Sequence, residues 1–117
     1  MICEVLSNYV SDDPNPIELT TGDTVILGAE SDPDGLYPNW VFCVSEQTGK
    51  KGWVAKHVLS VNNGVGIATD NYTSKEMSVT AGDRVDTINE LNGWYWCIRK
   101  TDYKTGWVAK DNLKLIE

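Results

Sequence analysis

The pentapeptide Gly-Trp-Val-Ala-Lys occurs twice in this chain, at residues 52–56 and again at residues 106–110. A block that is copied within a short chain indicates two copies of one structural unit. The duplication continues upstream at three places, where the offset changes from 63 to 60 and then to 54 residues: Tyr9 and Tyr72, Gly22-Asp23 and Gly82-Asp83, Trp40 and Trp94. Each change of offset falls among turn-forming residues, and surface loops tolerate such differences in length. The sequence therefore predicts one small domain that has been duplicated.

The duplication divides the 117 residues into two predicted domains, residues 1–61 (copy one) and residues 67–117 (copy two), with a short linker at residues 62–66. Domains of this size bury only about 60% of their unfolded surface, so each is near the lower limit for independent folding. Asn62-Asn63-Gly64 follows the last apolar run of copy one and is the expected centre of the linker. Because the linker is short, we expect the two domains to hold a restricted mutual orientation.

Short apolar runs separated by turn signals predict small antiparallel β units, and no window supports a long amphipathic helix. A single helical turn fits before the last strand of each copy, at residues 56–58 and 110–112. The predicted strands, five in each copy, are Cys3 to Leu6, Thr24 to Gly28, Trp40 to Ser45, Lys51 to Ala55, Leu59 to Val61, Gly66 to Thr69, Arg84 to Asn89, Trp94 to Lys100, Thr105 to Ala109 and Lys114 to Ile116.

The net charge of −7 is unequally distributed along the sequence. Residues 1–62 carry three Lys against nine Asp or Glu, whereas residues 63–117 carry seven Lys or Arg against eight acids. A phosphate backbone would be repelled by the first half, so no nucleic-acid partner is expected. A basic protein or peptide would be attracted to it.

Three cysteines, Cys3, Cys43 and Cys97, form an odd number without local pairs, which is typical of proteins from a reducing compartment. Cys43 and Cys97 occupy equivalent places in the two copies, so we expect each in its own core. We find neither an export signal at the amino terminus nor an apolar stretch that could cross a membrane. The sequence thus predicts a cytoplasmic protein without a membrane partner.

The motifs of both copies follow one another in a characteristic order. Copy two contains Ala68 to Tyr72, Glu76 to Asp83, Trp94 to Cys97 and Gly106 to Ala109, and copy one repeats the order with Val5 to Tyr9, Ile17 to Asp23, Trp40 to Cys43 and Gly52 to Leu59. This order resembles the SH3 domain, whose members read Ala-Leu-Tyr-Asp-Tyr, Glu-Leu-Ser-Phe-x-x-Gly-Asp, Trp-Trp-x-Ala/Gly and Gly-x-x-Pro-x-x-Tyr-Val. The resemblance covers nearly the whole chain, twice. It implies an all-β protein of two tandem SH3-like barrels, each with five strands, joined by the short linker.

The resemblance also implies a binding surface. In the SH3 family, an aromatic groove accepts extended polyproline II peptides, and acidic residues of the first loop attract a basic residue of the peptide. Carried over to this chain, the ligand-binding residues are Tyr9, Asp12, Asp13 and Trp40 in copy one and Tyr72, Glu76 and Trp94 in copy two. Copy one is then the better candidate for a basic partner.

Other groove positions depart from the family pattern. Ala55 and Ala109 stand where the family has Pro, and Val58 and Asn112 stand where it has its last Tyr. The first Tyr is replaced as well, by Ser7 and Asp70. These departures argue against conventional proline-rich ligands and favour another extended peptide or protein surface.

The sequence does not predict an enzyme. The single histidine, His57, lies in no recognisable motif, no cysteine has a predicted basic neighbour, and no Gly-rich loop opens a helix. Asp32 and Asp34 lack the further spaced acids of a calcium loop, so neither a metal nor a cofactor is expected. We therefore expect a non-catalytic, adaptor-like module that binds a peptide or protein.

Two other functions remain open at the level of sequence. A cell-wall-binding module of the bacterial SH3-like kind would recognise peptidoglycan peptides and would require export. An acidic inhibitor or immunity-type protein would bind one basic partner, and its support is the net charge. The residues select neither a ligand nor an oligomeric state.

Overall fold

The structure, a computed structural model, describes all residues from 1 to 117 and contains strands and single-turn 3-10 helices but no α-helix. This confirms the prediction of an all-β chain. In chain order the strands are β1 (Ile2–Val5), β2 (Glu18–Leu19), β3 (Thr24–Glu30), β4 (Trp40–Ser45), β5 (Lys51–Ala55), β6 (Leu59–Asn62), β7 (Val65–Ala68), β8 (Tyr72–Thr73), β9 (Arg84–Leu91), β10 (Trp94–Arg99), β11 (Thr105–Ala109) and β12 (Leu113–Leu115). The 3-10 helices comprise Lys56–Val58 and Lys110–Asn112, the places where the sequence leaves room for a single turn.

Alternating burial explains why the first four residues of the repeated pentapeptide lie in a strand. In β5, Gly52 and Val54 are buried, whereas Lys51 and Trp53 are exposed. Successive side chains of a strand point to opposite faces, so this pattern places one face on a core. Strands β4, β5 and β11 have the predicted bounds. Strands β2 and β8 were not predicted, because two residues are too few to show an alternating pattern.

A tight turn positions the strand that follows each Gly-Asp motif. In copy two, Gly82 has a φ of 92°, a conformation open to glycine at little cost. The carboxylate of Asp83 accepts a hydrogen bond from the backbone N–H of Thr80 at 3.0 Å. Copy one repeats this turn with Gly22 and Asp23.

Ten of the strands form two five-stranded antiparallel sheets with the same internal order. The order is β5-β4-β3-β7-β6 in one sheet and β11-β10-β9-β1-β12 in the other. Strands β2 and β8 pair separately as a two-stranded sheet. In each large sheet, one strand comes from a different copy than the other four.

The first strand of each copy pairs with the other copy. Strand β1 lies between β9 and β12, and β7 lies between β3 and β6. The chain accordingly forms two compact units: a continuous unit, residues 14–74, and a split unit, residues 1–13 together with 75–117. The predicted ranges 1–61 and 67–117 are therefore sequence repeats and not compact units, because the chain passes from one unit to the other at residues 13–14 and 74–75.

The predicted linker is a β-hairpin turn. Asn63 and Gly64 have positive φ angles of 53° and 79°, and they connect β6 to β7 within the continuous unit. Positive φ at both central residues characterises the two-residue turn that Asn-Gly favours between antiparallel strands. The prediction of a linker at residues 62–66 was wrong, since these residues pair two adjacent strands.

The two units repeat each other in their backbone hydrogen bonds. In the split unit, the N–H of Val5 donates to the carbonyl of Asp83 at 2.9 Å; in the continuous unit, that of Ala68 donates to Asp23 at 2.8 Å. One residue further along, the N–H of Leu6 donates to the carbonyl of Asn112 in the split unit. In the continuous unit, the N–H of Thr69 donates to the carbonyl of Val58. The residues of each matched pair are related by the sequence offsets, so the exchange of first strands occurs in the same way in both units.

Each unit has its own buried apolar residues, including one of the equivalent cysteines. Cys43 is fully buried in the continuous unit and Cys97 in the split unit, as predicted. Cys3 is buried in the same core as Cys97, because β1 belongs to the split unit. All three thiols are free. The split core comprises Cys3, Val5, Met77, Val79, Val85, Cys97 and Val108.

Strand exchange also redistributes the charge. The split unit contains seven basic and ten acidic residues, and the continuous unit contains three basic and seven acidic residues. Their net charges are therefore −3 and −4. The contrast between a strongly acidic first half and a nearly neutral second half exists in the sequence but not in the folded units.

Candidate functional site

The exchange regroups the residues that the sequence assigned to a ligand site. The sequence grouped Tyr9 with Trp40, and Tyr72 with Trp94, whereas the structure places the members of each pair in different units. The split unit contains Tyr9, Asp12, Asp13, Glu76 and Trp94, and the continuous unit contains Trp40 and Tyr72. The physical reason is the passage of the chain between units within each first loop, directly after Asp13 and before Lys75.

Tyr9 is fixed by backbone and side-chain hydrogen bonds in the split unit. Its N–H donates to the carbonyl of Val79 at 2.9 Å, and the N–H of Val79 donates back to the carbonyl of Tyr9 at 2.8 Å. The Tyr9 hydroxyl donates to the carboxylate of Glu76. Tyr9 nevertheless remains 40% exposed. The two residues therefore form a preorganised aromatic and acidic pair at the surface.

The backbone around Glu76 is held against β11. The N–H of Trp107 donates to the carbonyl of Lys75 at 2.9 Å, and the N–H of Met77 donates to the carbonyl of Trp107 at 3.1 Å. These two bonds flank Glu76 on both sides along the chain. The carboxylate that meets Tyr9 is consequently carried by an anchored segment.

Arg99 supports the same loop, a role that the sequence reasoning missed. Its guanidinium donates to the carbonyl of Ser78 at 2.9 Å, to Asp83 at 3.2 Å and to Asp102 at 3.0 Å. The hydrogen bond with Asp102 is the main reason why the pKa of Arg99 is raised, and the bond with Asp83 adds to it. Arg99 thus joins the segment behind Glu76 to the Gly-Asp turn.

Asp12 and Asp13 are both exposed and lie in the same first loop. The N–H of the preceding residue, Ser11, donates to the hydroxyl of Ser78 at 3.0 Å, which brings this arm of the loop to the segment that carries Glu76. Three carboxylates and the exposed ring of Tyr9 therefore lie on two segments, one from each sequence copy, that hydrogen bonds hold together. Such a surface favours a cation that presents an apolar stem.

Trp94 begins β10 and is half-buried, with Ala109 opposite on β11. The N–H of Lys110 donates to the carbonyl of Gly93 at 2.9 Å and closes the strand pair beside the indole-bearing residue. The ammonium of Lys110 pairs with Glu90 at 3.0 Å and lies 5.9 Å from the centre of the Tyr95 ring. Trp94 thus occupies a structured position with part of its side chain accessible.

The aromatic residues of the continuous unit are in different surroundings. Tyr72 is 9% exposed, and its hydroxyl donates to the carbonyl of Trp53 at 2.8 Å. Trp40 is 8% exposed, and its indole N–H is buried without an acceptor. A buried donor without a partner costs about 1–3 kcal/mol. These two aromatic side chains contribute mainly to packing in the free protein.

Replacement of Tyr72 by Phe should destabilise the protein, because the carbonyl of Trp53 would lose its part-buried donor. We expect a loss of about 1–2 kcal/mol in the free energy of unfolding, measured by urea denaturation. Tyr9→Phe is the matched control, since the same atom is removed from a side chain that is 40% exposed. A change of less than about 0.5 kcal/mol is expected there. Equal losses in both variants would contradict the difference between the two tyrosines.

Two asparagines tie the arms of the first loops together, and the sequence reasoning did not single them out. The amide oxygen of Asn8 accepts a hydrogen bond from the N–H of Ala81 at 2.8 Å. That of Asn71 accepts one from the N–H of Thr21 at 2.9 Å. The two asparagines are 63 residues apart, the same offset that relates Tyr9 to Tyr72. This shared offset was the sequence signal by which the equivalent roles of the two asparagines could have been recognised.

The cysteines are not arranged as nucleophiles. Burial raises the pKa of the Cys43 thiol to about 11 and that of Cys97 to about 12. Thiols with such pKa values are protonated at neutral pH, and the thiolate is the reactive form. No group of three or more His, Cys, Asp or Glu side chains is placed to hold a metal ion. None of the helices has the length and apolar character needed to cross a membrane.

The comparison with protein families agrees with the motif order and the sheets. Residues 2–61 match the family model described as variant SH3 domain. This range is a sequence repeat, so it contains parts of both compact units. Neither a curated protein nor a solved structure matches the chain. Since the family model covers just over half of the residues, the chain belongs to the variant SH3 domain family.

Proposed function

We propose that this chain is a non-catalytic module of two SH3-like barrels, each completed by the first strand of the other copy, and that it binds an extended peptide or protein segment. The split unit provides the binding surface, with Tyr9, Trp94 and the first-loop carboxylates as its contact residues. SH3-like domains are generally binding modules, which supports the class of function. The proposal places the site on two segments, one from each copy.

The difference between the two tyrosines carries this proposal. Tyr9 is 40% exposed and held by Glu76, whereas Tyr72 is 9% exposed and bonded to a main-chain carbonyl. An exposed aromatic ring held in one position loses little conformational entropy when a ligand covers it. The split unit is therefore better prepared to bind than the continuous unit. In the continuous unit, Trp40 and Tyr72 act mainly in packing.

The partner is expected to be basic where it meets the first loop. Asp12 and Asp13 are exposed, and Glu76 already accepts the Tyr9 hydroxyl. A Lys or Arg of the partner can place its apolar stem on the Tyr9 ring while its charged group meets the carboxylates. Exposed charges interact less at high salt, so the affinity should fall as ionic strength rises. The three free and buried thiols are in keeping with a reducing, cytoplasmic setting.

A titration of the full-length chain with two matched peptides tests the proposal. The probes are acetyl-Arg-Ala-Leu-Pro-Ala-Leu-amide and the same peptide with Glu in place of Arg, followed by amide NMR shifts. We expect the Arg peptide alone to shift Tyr9, Asp12, Asp13 and Trp94. Tyr9→Ala and Trp94→Ala should each weaken its binding at least tenfold, which corresponds to about 1.4 kcal/mol.

Tyr72→Phe is the control for this titration, since its hydroxyl is engaged within the continuous unit. It should leave the affinity for the Arg peptide unchanged. Shifts confined to residues 14–74 would move the site to the continuous unit. If neither peptide binds at millimolar concentration, while the chain sediments with purified peptidoglycan, the cell-wall alternative would replace this proposal.

A further inference from the structure

We infer that the exchange of first strands is specified by the side chains of β1 and β7, which differ in size and charge at positions 3/66 and 4/67. Each strand fits the unit that it occupies and would fit the other unit poorly. The chain is thus built as one assembly of two mutually dependent copies, although its sequence is a tandem repeat.

Size distinguishes the first of these positions. Gly66 faces the interior of the continuous unit, where a Cβ would lie 2.9 Å from Cγ2 of Val25 and 3.3 Å from Cδ2 of Leu27. A third side chain, Leu59, would be 3.6 Å away. Real Cβ atoms essentially never approach another atom within 3.0 Å. A side chain at this point of β7 would therefore have to displace Val25 and Leu27.

The equivalent position of the split unit holds Cys3, which is buried. The residue equivalent to Leu27 is Thr87: Leu27 donates its N–H to Gly64, and Thr87 donates its N–H to Met1, residues that share the offset of 63. The shorter threonine side chain replaces leucine in the unit that must hold a thiol. The continuous unit thus combines the small Gly66 with the larger Leu27, and the split unit combines the larger Cys3 with the smaller Thr87.

Charge distinguishes the second position. Glu4 on β1 lies opposite Arg84 on β9 and opposite Lys114 on β12. In the continuous unit, Ile67 occupies the equivalent place, and its neighbours are Thr24 and Ser60. Directly opposite residues of antiparallel strands share a face of the sheet, so opposite charges in register favour the pairing. Glu4 itself takes part in none of the ion pairs of the structure, so the favourable term is the register of charges and not a direct contact.

An unexchanged arrangement would lose both forms of complementarity. Cys3 would face Leu27, and Glu4 would lie between Thr24 and Ser60 without a cation. On the other side, Ile67 would lie between Arg84 and Lys114. Overpacking and the loss of opposite charges in register both disfavour this arrangement relative to the exchanged one.

A double-mutant cycle in the full-length chain tests the size term. Gly66→Cys should lower the urea midpoint, because the new side chain meets Val25 and Leu27. Adding Leu27→Thr, which supplies the residue of the split unit, should recover the part of that loss that arises from Leu27. If Gly66→Cys does not fold, Gly66→Ala serves in its place, since the contact arises at Cβ. A double variant no more stable than additivity predicts would overturn the size term.

The pairing itself is tested by cutting the chain between β6 and β7. A protease site inserted between Asn63 and Gly64 yields two fragments that each contain one copy. With exchange, the fragments should elute together from gel filtration and separate in denaturant, because each contributes a strand to the sheet of the other. Fragments that separate without denaturant would contradict exchange.

The same cut tests whether positions 3/66 and 4/67 determine the copy with which each first strand pairs. In a chain with Cys3→Gly, Glu4→Ile, Gly66→Cys and Ile67→Glu, the two strands carry each other's side chains at these positions. We expect its fragments to separate after cleavage, as independent barrels would. If they remain associated in a folded state, the two positions do not select the partner. If this variant does not fold, additivity in the cycle at residues 27 and 66 would still overturn the contribution of position 3/66.

Discussion

Alanine in place of Gly106 should strongly destabilise the split unit. The added Cβ would lie 2.8 Å from both the backbone nitrogen and the Cβ of Met77, and 3.0 Å from the carbonyl carbon of Glu76. Backbone atoms cannot turn away as the end of a side chain can, so the segment would have to move from β11. That movement would break the hydrogen bonds between Trp107 and the segment containing residues 75–77. We expect a loss of about 3–5 kcal/mol from overpacking and these bonds.

A loss of this size is comparable with the whole stability of the unit. Stabilities of about 0.05–0.15 kcal/mol per residue give roughly 3–8 kcal/mol for the split unit, which has 56 residues. Urea denaturation followed by Trp fluorescence measures the change, and amide NMR spectra show which unit has unfolded. Gly35→Ala is the control, because the nearest atom to its Cβ is the side-chain Cβ of Asp32 at 3.3 Å. A Gly106→Ala protein as stable as the control would contradict the close approach.

The repeated pentapeptide was sufficient to predict much of the fold. Gly52 and Gly106 pack closely against Ile17 and Met77, respectively, so both copies need the same residue at the same place. The valine that follows two residues later is buried in both strands, and the residue between is more accessible, so the local pattern is that of a strand in both copies. Local patterns of this kind depend on packing that is identical in the two units.

The exchange of first strands could not be obtained from the same pattern. Offsets of 63, 60 and 54 residues arise whether each copy keeps its first strand or gives it to the other copy. The distinguishing information lies in pairs such as Glu4 with Lys114 and Gly66 with Leu27, which become visible once the register is known. Asn63-Gly64 was a local signal for a hairpin, and its interpretation as a linker followed from the assumption that copies and units coincide.

The sequence identified individual residues of the candidate site but not how they are grouped, because the grouping depends on the exchange of first strands. Motif matching identified Tyr9, Glu76 and Trp94 individually, and the structure places all three in the split unit. It could not pair Tyr9 with Glu76, because these residues belong to different copies and their contact depends on the exchange. Nor could it separate Tyr9 from Tyr72, whose exposures differ although their motif positions agree.

Truncation of Ile17 to alanine should be the most damaging change of a single side chain in the continuous unit that we consider. Ile17 is fully buried, and its Cγ2 would lie 2.8 Å from a Cβ at Gly52. Its N–H donates to the hydroxyl of Ser74 and its carbonyl accepts the N–H of Ser74, both at 3.0 Å, so the backbone cannot easily collapse into the space. Removing buried methyl and methylene groups under such conditions costs about 2–5 kcal/mol. Urea denaturation should show this loss.

Ile26→Ala is the matched control, because Ile26 belongs to the same unit and is 53% exposed. We expect a loss of about 1 kcal/mol or less there. The contact with Gly52 adds a sharper requirement: alanine at position 52 should be less damaging in the Ile17→Ala background than with Ile17 present. The truncation removes the contact with Cγ2 of Ile17, although the contact with the hydroxyl of Ser74 at 2.9 Å remains. The double variant should then exceed additivity by about 1 kcal/mol or more. Strict additivity would show that the two residues are not in contact, and a large loss in Ile26→Ala would show that burial does not separate the two isoleucines.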